Sequence, residues 1–316
     1  MSLVGQILPI FLLIALGVVS RLFGWLSDAA VDGLRQIVVR MVLPSVLFLS
    51  FVDMSLSVDH LSLVAVVFLA CSVGLALGWP LIRRLYPADR FTPFLAGGYE
   101  FGMLGVSLFA GAYGAGALPS IAVVALGHEL FIWFVFFALL IAARDGSARP
   151  GDLILGFARN PVTMAILAGL LCNGLGLRTA TLETVPGIDA IIHSLRFLAP
   201  MVVPAVLIVV GYGLRFEAVD GGKIVRVMAA RAIVQVPLAG IAAFLVLGHL
   251  FGFELRYQVA LFTLMILPPP FIVPLFMPDD AAATAERPLI MQVLTIHTLA
   301  SLAIFAGIIA VFPSFG

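Results

Sequence analysis

The sequence predicts an all-α integral membrane protein of ten transmembrane helices, arranged as two inverted repeats of five helices each. Hydrophobic residues make up 62% of the 316 residues and charged residues only 11%, against roughly 25% charged residues in soluble domains. Crossing the hydrocarbon layer takes about 20 apolar residues. Ten such segments, numbered below as the first to the tenth span, lie at 3–22, 34–52, 61–82, 92–114, 118–142, 158–177, 190–214, 224–250, 257–278 and 289–313.

The two halves of the chain, 1–150 and 151–316, share a pattern of proline and glycine. Pro9, Gly17 and Gly24 recur as Pro161, Gly169 and Gly176 with the same gaps of eight and seven residues. Pro44 in Val-Leu-Pro-Ser-Val-Leu likewise matches Pro204 in Val-Val-Pro-Ala-Val-Leu. Chance recurrence is the alternative, since membrane helices tolerate both residue types. A duplicated membrane unit is typical of transporters.

The basic residues predict the orientation of the spans. Because five is odd, a second half that repeats the first begins on the opposite side of the membrane, so the repeats are inverted. Only two arginines, Arg178 and Arg256, flank the even-to-odd connections. Twelve basic residues flank the odd-to-even connections: Arg21, Arg35, Arg83, Arg84, Arg90, Arg144, Arg149, Arg159, Arg215, Lys223, Arg226 and Arg287. The positive-inside rule therefore predicts that both termini lie outside the cytoplasm.

Composition and motifs also exclude several classes of protein. A net charge of zero without a basic patch argues against a nucleic-acid partner. No nucleotide-binding loop is present, and the sequence after His128 and Glu129 departs from the His-Glu-x-x-His motif of zinc proteases. We therefore predict a protein that is not an enzyme and has neither a cofactor nor a metal site. The ratio of sixteen arginines to one lysine points to a GC-rich bacterium, and so to a bacterial inner membrane.

The fourth and ninth spans are predicted to be broken. The fourth contains Gly97, Gly98, Gly102 and Gly105, and each glycine costs a helix about 1 kcal/mol relative to alanine. The ninth contains the consecutive prolines 268–270, each of which costs roughly 3 kcal/mol or more inside a helix. Non-helical backbone at membrane depth must be buried in protein or line a wet cavity. Two breaks at corresponding positions predict a binding site, and two ordinary packing kinks are the alternative.

Several of these residues resemble the signatures of the auxin efflux carrier family. Residues 40–48, Arg-Met-Val-Leu-Pro-Ser-Val-Leu-Phe, are similar to the second-span pattern Leu-Pro-Ala-Leu-Leu-Phe of that family. Asn160-Pro161 with Gly169 resembles the sixth-span signature of the family. Pro204 with Gly211 and Leu214 resembles its seventh-span signature. The similarity covers essentially the whole chain. Bacterial members of the family include carriers assigned to malonate and other small carboxylates.

The resemblance implies a scaffold part and a transport part, each built from both repeats, with the fourth and ninth helices crossing at their breaks. It also implies elevator-like alternating access and a homodimer. The family's fourth-span motif, Asn-x-Gly-x-x-Gly-x-Pro, corresponds here to Glu100, Phe101, Gly102, Met103, Leu104, Gly105, Val106 and Ser107. The asparagine, implicated in holding a substrate carboxylate in related plant carriers, is therefore replaced by glutamate. A glutamate repels an anion unless it is protonated or binds a cation.

Glu100 is the first candidate for a functional charge. It lies about eight residues into the fourth span, roughly 12 Å deep at about 1.5 Å per residue. We hypothesise that Glu100 titrates or binds a cation, H⁺ or Na⁺, during transport. The alternative is a structural pair with an arginine such as Arg40, Arg196 or Arg231, although the default for all three arginines is a side chain that reaches the headgroups.

His128, Glu129, Arg40 and Pro44 complete the candidate site. His128 and Glu129 lie about ten residues into the fifth span and form either a proton relay or a buried hydrogen-bonded pair. Arg40 precedes Pro44 by one helical turn and can supply a positive partner for an anion.

The leading hypothesis is a secondary transporter of a small organic anion in the lipid bilayer. Its substrate or ion site comprises Glu100, Phe101, Gly102, Gly105, Ser107, Pro268, Pro269, Pro270, Arg40, Pro44, His128 and Glu129. A ligand-binding membrane sensor or a channel with the same site is the alternative.

Overall fold

The computed structural model describes residues 3–54, 58–146, 149–214, 219–278 and 280–315. These residues contain helices and connecting segments, without any β-strand. The helices are α1 Leu3–Leu22, α2 Asp28–Asp53, α3 Val58–Leu85, α4 Val106–Tyr113, α5 Leu118–Asp145, α6 Pro150–Arg159, α7 Pro161–Gly174, α8 Thr179–Leu182, α9 Ile188–Gly213, α10 Gly221–Leu250, α11 Leu255–Ile266, α12 Ile272–Phe276 and α13 Ala281–Val311. A 3₁₀ helix, Thr92–Ala96, and a π-helical turn, Phe101–Gly105, precede α4.

Each of the ten predicted spans overlaps at least one helix of the described residues. Among the described residues, six helices are long and apolar enough to cross a membrane: α2, α3, α5, α9, α10 and α13. Three shorter apolar helices lie at Leu8–Leu22, Pro161–Gly174 and Leu255–Ile266. An all-helical chain of this hydropathy is an integral membrane protein. The count of ten spans and the inversion of the two halves stay predictions.

The matching prolines of the two halves each follow an irregular turn inside a long helix. Pro44 lies in α2 directly after the π-helical turn Val38–Val42, in which the Leu43 amide donates to the carbonyl of Val38. Pro204 lies in α9 shortly after the 3₁₀ turn Ala199–Met201. A proline cannot donate the helical hydrogen bond and clashes with the preceding turn, so a local change of pitch lets each helix continue.

The chain forms two compact units, and each of them contains segments from both halves. Unit 1 comprises 1–61, 102–126 and 156–214, and unit 2 comprises 62–101, 127–155 and 215–316.

In unit 1, the matching glycines of the two halves make equivalent close contacts. A Cβ atom added to Gly17 of α1 would lie 2.2 Å from the carbonyl oxygen of Ile208 and 2.7 Å from the amide nitrogen of Tyr212. A Cβ atom added to Gly169 of α7 would lie 3.0 Å from the Phe48 oxygen and 3.4 Å from the Val52 nitrogen. Positions 48 and 52 are the counterparts of 208 and 212 when Pro44 is matched to Pro204. The two contacts therefore use corresponding positions: 208 and 212 of α9 contact α1, and 48 and 52 of α2 contact α7.

The helices α1 and α7 also end in the same way. Gly24 and Gly176 both have a positive φ, 66° and 75°. The amide after each glycine donates to a carbonyl five residues earlier, Trp25 to Ser20 at 2.9 Å and Leu177 to Cys172 at 2.9 Å. This is the Schellman motif, in which glycine adopts the left-handed conformation after a helix.

Asparagines at the two ends of α7 satisfy backbone groups. Asn160 caps the N-terminus, where its Oδ1 accepts from the amide of Val162 at 2.7 Å, and asparagine is among the preferred residues at this position. Asn173 donates to the carbonyls of Phe51 at 2.8 Å, Val52 at 3.2 Å and Met54. The exposed carbonyls at the end of α2 thereby gain a partner from a second helix.

Candidate functional site

Both predicted breaks are present, and both lie in unit 2. Residues 98–100 are non-helical and lie between the 3₁₀ helix Thr92–Ala96 and the π-helical turn that begins at Phe101. Residues 268–270 are non-helical and lie between α11 and α12. The structure thus confirms that the fourth and ninth spans are interrupted where glycine and proline cluster.

Gly98 permits the first break for two reasons. Its φ of +68° lies in the left-handed region, which side chains with a Cβ atom rarely adopt. A Cβ atom there would also lie 2.8 Å from the ring carbons of both Phe136 and Pro270. The glycine therefore lets the first break approach the prolines of the second.

The two breaks are joined by hydrogen bonds at Glu100. The Glu100 amide donates to the carbonyl of Pro268 at 2.8 Å. The Glu100 carboxylate accepts from the amide of Phe271, at the start of α12, with Oε2 and nitrogen 2.8 Å apart. The consecutive prolines have no amide donors, and this stretch is not helical, so its carbonyls take no helical hydrogen bond and are open to partners elsewhere. Glu100 thus links the two segments through both its backbone and its half-buried side chain.

Arg231 of α10 is the charged group that the sequence analysis placed wrongly. Its side chain does not reach toward headgroups, because only 1% of the residue is exposed. Its Nη1 donates to the carbonyl of Leu95 at 2.8 Å. Its Nη2 donates to the carbonyls of Gly98 at 2.8 Å and Leu267 at 3.1 Å. One guanidinium therefore satisfies acceptors from both broken spans.

Gln235 continues this contact one helical turn further along α10. Its Nε2 donates to the Ala96 carbonyl at 2.7 Å, and its Oε1 accepts from the hydroxyl of Tyr99. A polar pair at positions i and i+4 on an apolar helix is the sequence signal that could have revealed this site, because such residues share one face. We call Arg231 and Gln235 together the α10 clamp.

His128 lies beside the first break. Its ring centroid is 6.0 Å from that of Tyr99 and 5.5 Å from that of Phe101. The residue is 2% exposed. The Tyr99 backbone lies close to the imidazole, yet within the described residues neither ring nitrogen makes a hydrogen bond of good geometry. The neighbouring Glu129 is half-buried and accepts a hydrogen bond from the indole of Trp133 at 3.2 Å.

His297, in the tenth span, lies near the second break. His297 is satisfied, since its Nδ1 lies 3.1 Å from Ser301 Oγ. Ser301 in turn donates to the carbonyl of Ile266 at 2.6 Å, at the end of α11. Each break therefore has a buried histidine nearby, and the two histidines differ in their hydrogen bonding.

The other predicted site residues are divided between the two units. Pro269 and Pro270 are buried in unit 2 with Pro268. Arg40 and Pro44 belong to unit 1, where the Arg40 side chain is exposed. Unit 1 also holds Gly102, Gly105 and Ser107, and the Ser107 hydroxyl donates to the carbonyl of Leu104 at 2.9 Å.

A second polar region of unit 2 was missed by the sequence analysis. The carboxylate of Glu286, on a residue only 6% exposed, accepts from three consecutive backbone amides at the start of the 3₁₀ helix. The distances are 2.8 Å to Arg90, 2.7 Å to Phe91 and 2.9 Å to Thr92. A cavity of about 560 Å³ beside it is lined by Tyr86, Asp89, Asp220 and Lys223 among others. None of the predicted site residues lines this cavity.

Comparison with known proteins gives one informative similarity. No protein-family model matches the chain. The "Uncharacterized transporter MJ1031" of Methanocaldococcus jannaschii is 24% identical over 238 residues, which cover 71% of this chain and 73% of the archaeal protein. The similarity therefore extends over most of both proteins, at an identity too low to define a family.

Proposed function

We propose that this protein is a secondary transporter of a small organic anion, a carboxylate, that works by elevator-like alternating access in a bacterial inner membrane. The observation that carries the proposal is the junction at Glu100, where two interrupted membrane helices exchange hydrogen bonds. Interrupted helices provide ion and substrate sites in transporters, because their free backbone groups and helix ends face the passenger. The similarity to an archaeal protein named as a transporter supports the same class.

Inverted repeats are part of this proposal. The equivalent contacts of Gly17 and Gly169 and the identical Schellman turns at Gly24 and Gly176 support a duplication. With ten spans, the second half would start on the opposite side of the membrane, and both termini would lie outside the cytoplasm.

The two compact units support a division into scaffold and transport parts. Each unit draws on both halves of the chain, as the resemblance to auxin efflux carriers implies. Unit 2 contains both breaks and the α10 clamp, so we assign the transport part to unit 2. A homodimer joined through the scaffold follows from the same resemblance.

Glu100 also suggests how an anion could be accepted despite a carboxylate in the site. Its Oε2 accepts a hydrogen bond from the amide of Phe271. A substrate carboxylate could use the same donor. Protonation of Glu100, or binding of a cation such as Na⁺, would weaken this bond and remove the negative charge. Coupling to H⁺ or Na⁺ would then follow from competition between Glu100 and the substrate.

A transport assay separates this function from the alternatives of a sensor or a channel. The purified protein is first screened for thermal stabilisation by mono- and dicarboxylates, since a ligand that binds the folded state raises its stability. The stabilising compound is then tested in liposomes for saturable exchange of labelled for unlabelled substrate. A carrier shows exchange. A sensor binds without exchange, a channel shows flux without saturable exchange, and either result contradicts the proposal.

Replacing Glu100 by glutamine is expected to abolish the dependence of uptake on pH or on sodium. The amide side chain retains an oxygen that can accept from Phe271, so folding should be preserved, whereas a proton or cation no longer changes its charge. The measurement is uptake by E100Q across a pH series, with and without sodium. E254Q changes an exposed glutamate and serves as the control. Unchanged pH and sodium dependence in E100Q would contradict a coupling role.

A further inference from the structure

Three backbone carbonyls of unit 2, from both broken spans, accept hydrogen bonds from one guanidinium. The Leu95 and Gly98 oxygens come from the fourth span and the Leu267 oxygen from the ninth, and each lies within 3.1 Å of a guanidinium nitrogen of Arg231. Leu267 is the C-cap of α11, and Leu95 lies in the last turn of the 3₁₀ helix Thr92–Ala96. Helix C-termini carry a partial negative charge, so the Arg231 guanidinium lies against two negative helix ends.

Convergent carbonyls at helix ends are a common environment for a hard cation. Sodium and calcium ions bind to such oxygens in proteins, and transporters hold Na⁺ with the carbonyls of unwound helices. Here the position is filled by a side chain of the protein. Within the described residues no carboxylate pairs with Arg231, so the carbonyls and helix ends are what balance its charge.

We propose that Arg231 is a tethered cation that permanently occupies a carbonyl site at the junction of the two breaks, so that this site requires no sodium ion. Through its hydrogen bonds, the buried guanidinium attaches both broken spans to α10 with a single positive charge. If the protein is the secondary transporter proposed above, the coupling ion acts elsewhere, and the proton at Glu100 becomes the favoured candidate. The statement on coupling rests on that function, whereas the statement on the cation site does not.

Two neighbouring contacts favour a charge at this position over a neutral donor. Gln235, one turn along α10, satisfies the Ala96 carbonyl with a neutral amide, so a neutral side chain is sufficient for a single acceptor. Arg231 instead contacts three acceptors, and its guanidinium carbon lies 5.1 Å from the ring centroid of Tyr99, over its face. An aromatic face attracts a cation. The surroundings of residue 231 are therefore built for positive charge.

The test measures the melting temperature of the purified full-length protein in detergent. The protein is measured in choline chloride, in sodium chloride, and in choline chloride with millimolar methylguanidinium. Urea at the same concentration as methylguanidinium, in choline chloride, is the neutral planar control. The wild-type melting temperature should be the same in choline and sodium. R231A should melt on the order of 5–10 °C lower, and sodium or methylguanidinium should restore part of this loss saturably, whereas urea should not. R226A changes an exposed arginine of the same helix and should respond to neither cation.

Two results would overturn the proposal. One is saturable stabilisation of the wild type by sodium, and the other is an R231A protein that folds but gains nothing from either cation. If R231A does not accumulate, R231K decides the question. A lysine keeps the charge, so an R231K protein that folds and ignores sodium supports the tethered cation, whereas failure of R231K as well overturns it. All these readouts are independent of substrate, so failure of the transport assay leaves them interpretable.

Discussion

Alanine at position 211 is expected to disrupt the packing of α1 against α9. A Cβ atom added to Gly211 would lie 2.0 Å from the carbonyl oxygen of Ile14 and 2.8 Å from its carbonyl carbon. Both are backbone atoms, so no side-chain rotation relieves the overlap and the helices must separate. Overpacking a well-packed contact costs about 1–3 kcal/mol, and this case should lie at the upper end, about 3 kcal/mol. The measurement is the melting temperature and membrane accumulation of G211A.

A matched variant two residues away provides the control. Gly213 is exposed at the end of α9, and a Cβ atom there would meet no heavy atom of the described residues within 4 Å. G213A should therefore melt close to the wild type. The α7–α2 contact at Gly169 is looser, with the nearest atom, Phe51 Cβ, at 2.9 Å, so G169A should lie between the two. Equal stability of G211A and G213A would contradict the close α1–α9 contact.

Removing the carboxylate of Glu286 is expected to detach the start of the fourth span from α13. E286A leaves the amides of Arg90, Phe91 and Thr92 without their acceptor. Each buried unsatisfied donor costs about 1–3 kcal/mol, so the free energy of unfolding should fall by about 3 kcal/mol or more. E286Q keeps one acceptor oxygen and should lose less. The melting temperatures of both variants test this order.

Local dynamics provide a second, more specific readout for Glu286. Hydrogen exchange at residues 90–92 should become faster in E286A, because these amides lose their protection. E254A serves as the control, since Glu254 pairs with Arg256 at the surface and exposed pairs contribute about 0–1 kcal/mol. If E286A exchanged at 90–92 as slowly as the wild type, Glu286 would not be the cap of this segment.

The positions of the breaks were predictable because their causes are local. Proline lacks an amide donor and clashes with the preceding turn wherever it lies inside a helix, so 268–270 had to interrupt the ninth span. The glycines of the fourth span act through backbone freedom. The N-cap at Asn160 has a local cause of the same kind, because a cap involves residues two or three positions apart.

The role of Arg231 was not predictable from its depth in the eighth span, which forms α10. An arginine two turns inside a span can reach the headgroups with its long stem or turn inward toward protein acceptors. Its acceptor Leu95 lies 136 residues away in the sequence. Every residue has a backbone carbonyl, so the sequence does not show which carbonyl will accept the hydrogen bond. The same reasoning applies to Glu286, whose three donors are backbone amides 194 to 196 residues earlier.

The sequence by itself determined an apolar, all-helical membrane chain, the two places where its helices break, and a proline and glycine pattern shared by its halves. Each of these depends on composition or on steric effects between near neighbours. The tertiary structure alone decided which distant groups satisfy the backbone freed at the breaks. Carbonyls and amides are the same at every residue, so their partners are fixed only when the packed helices bring Arg231, Gln235 and Glu286 within hydrogen-bonding distance.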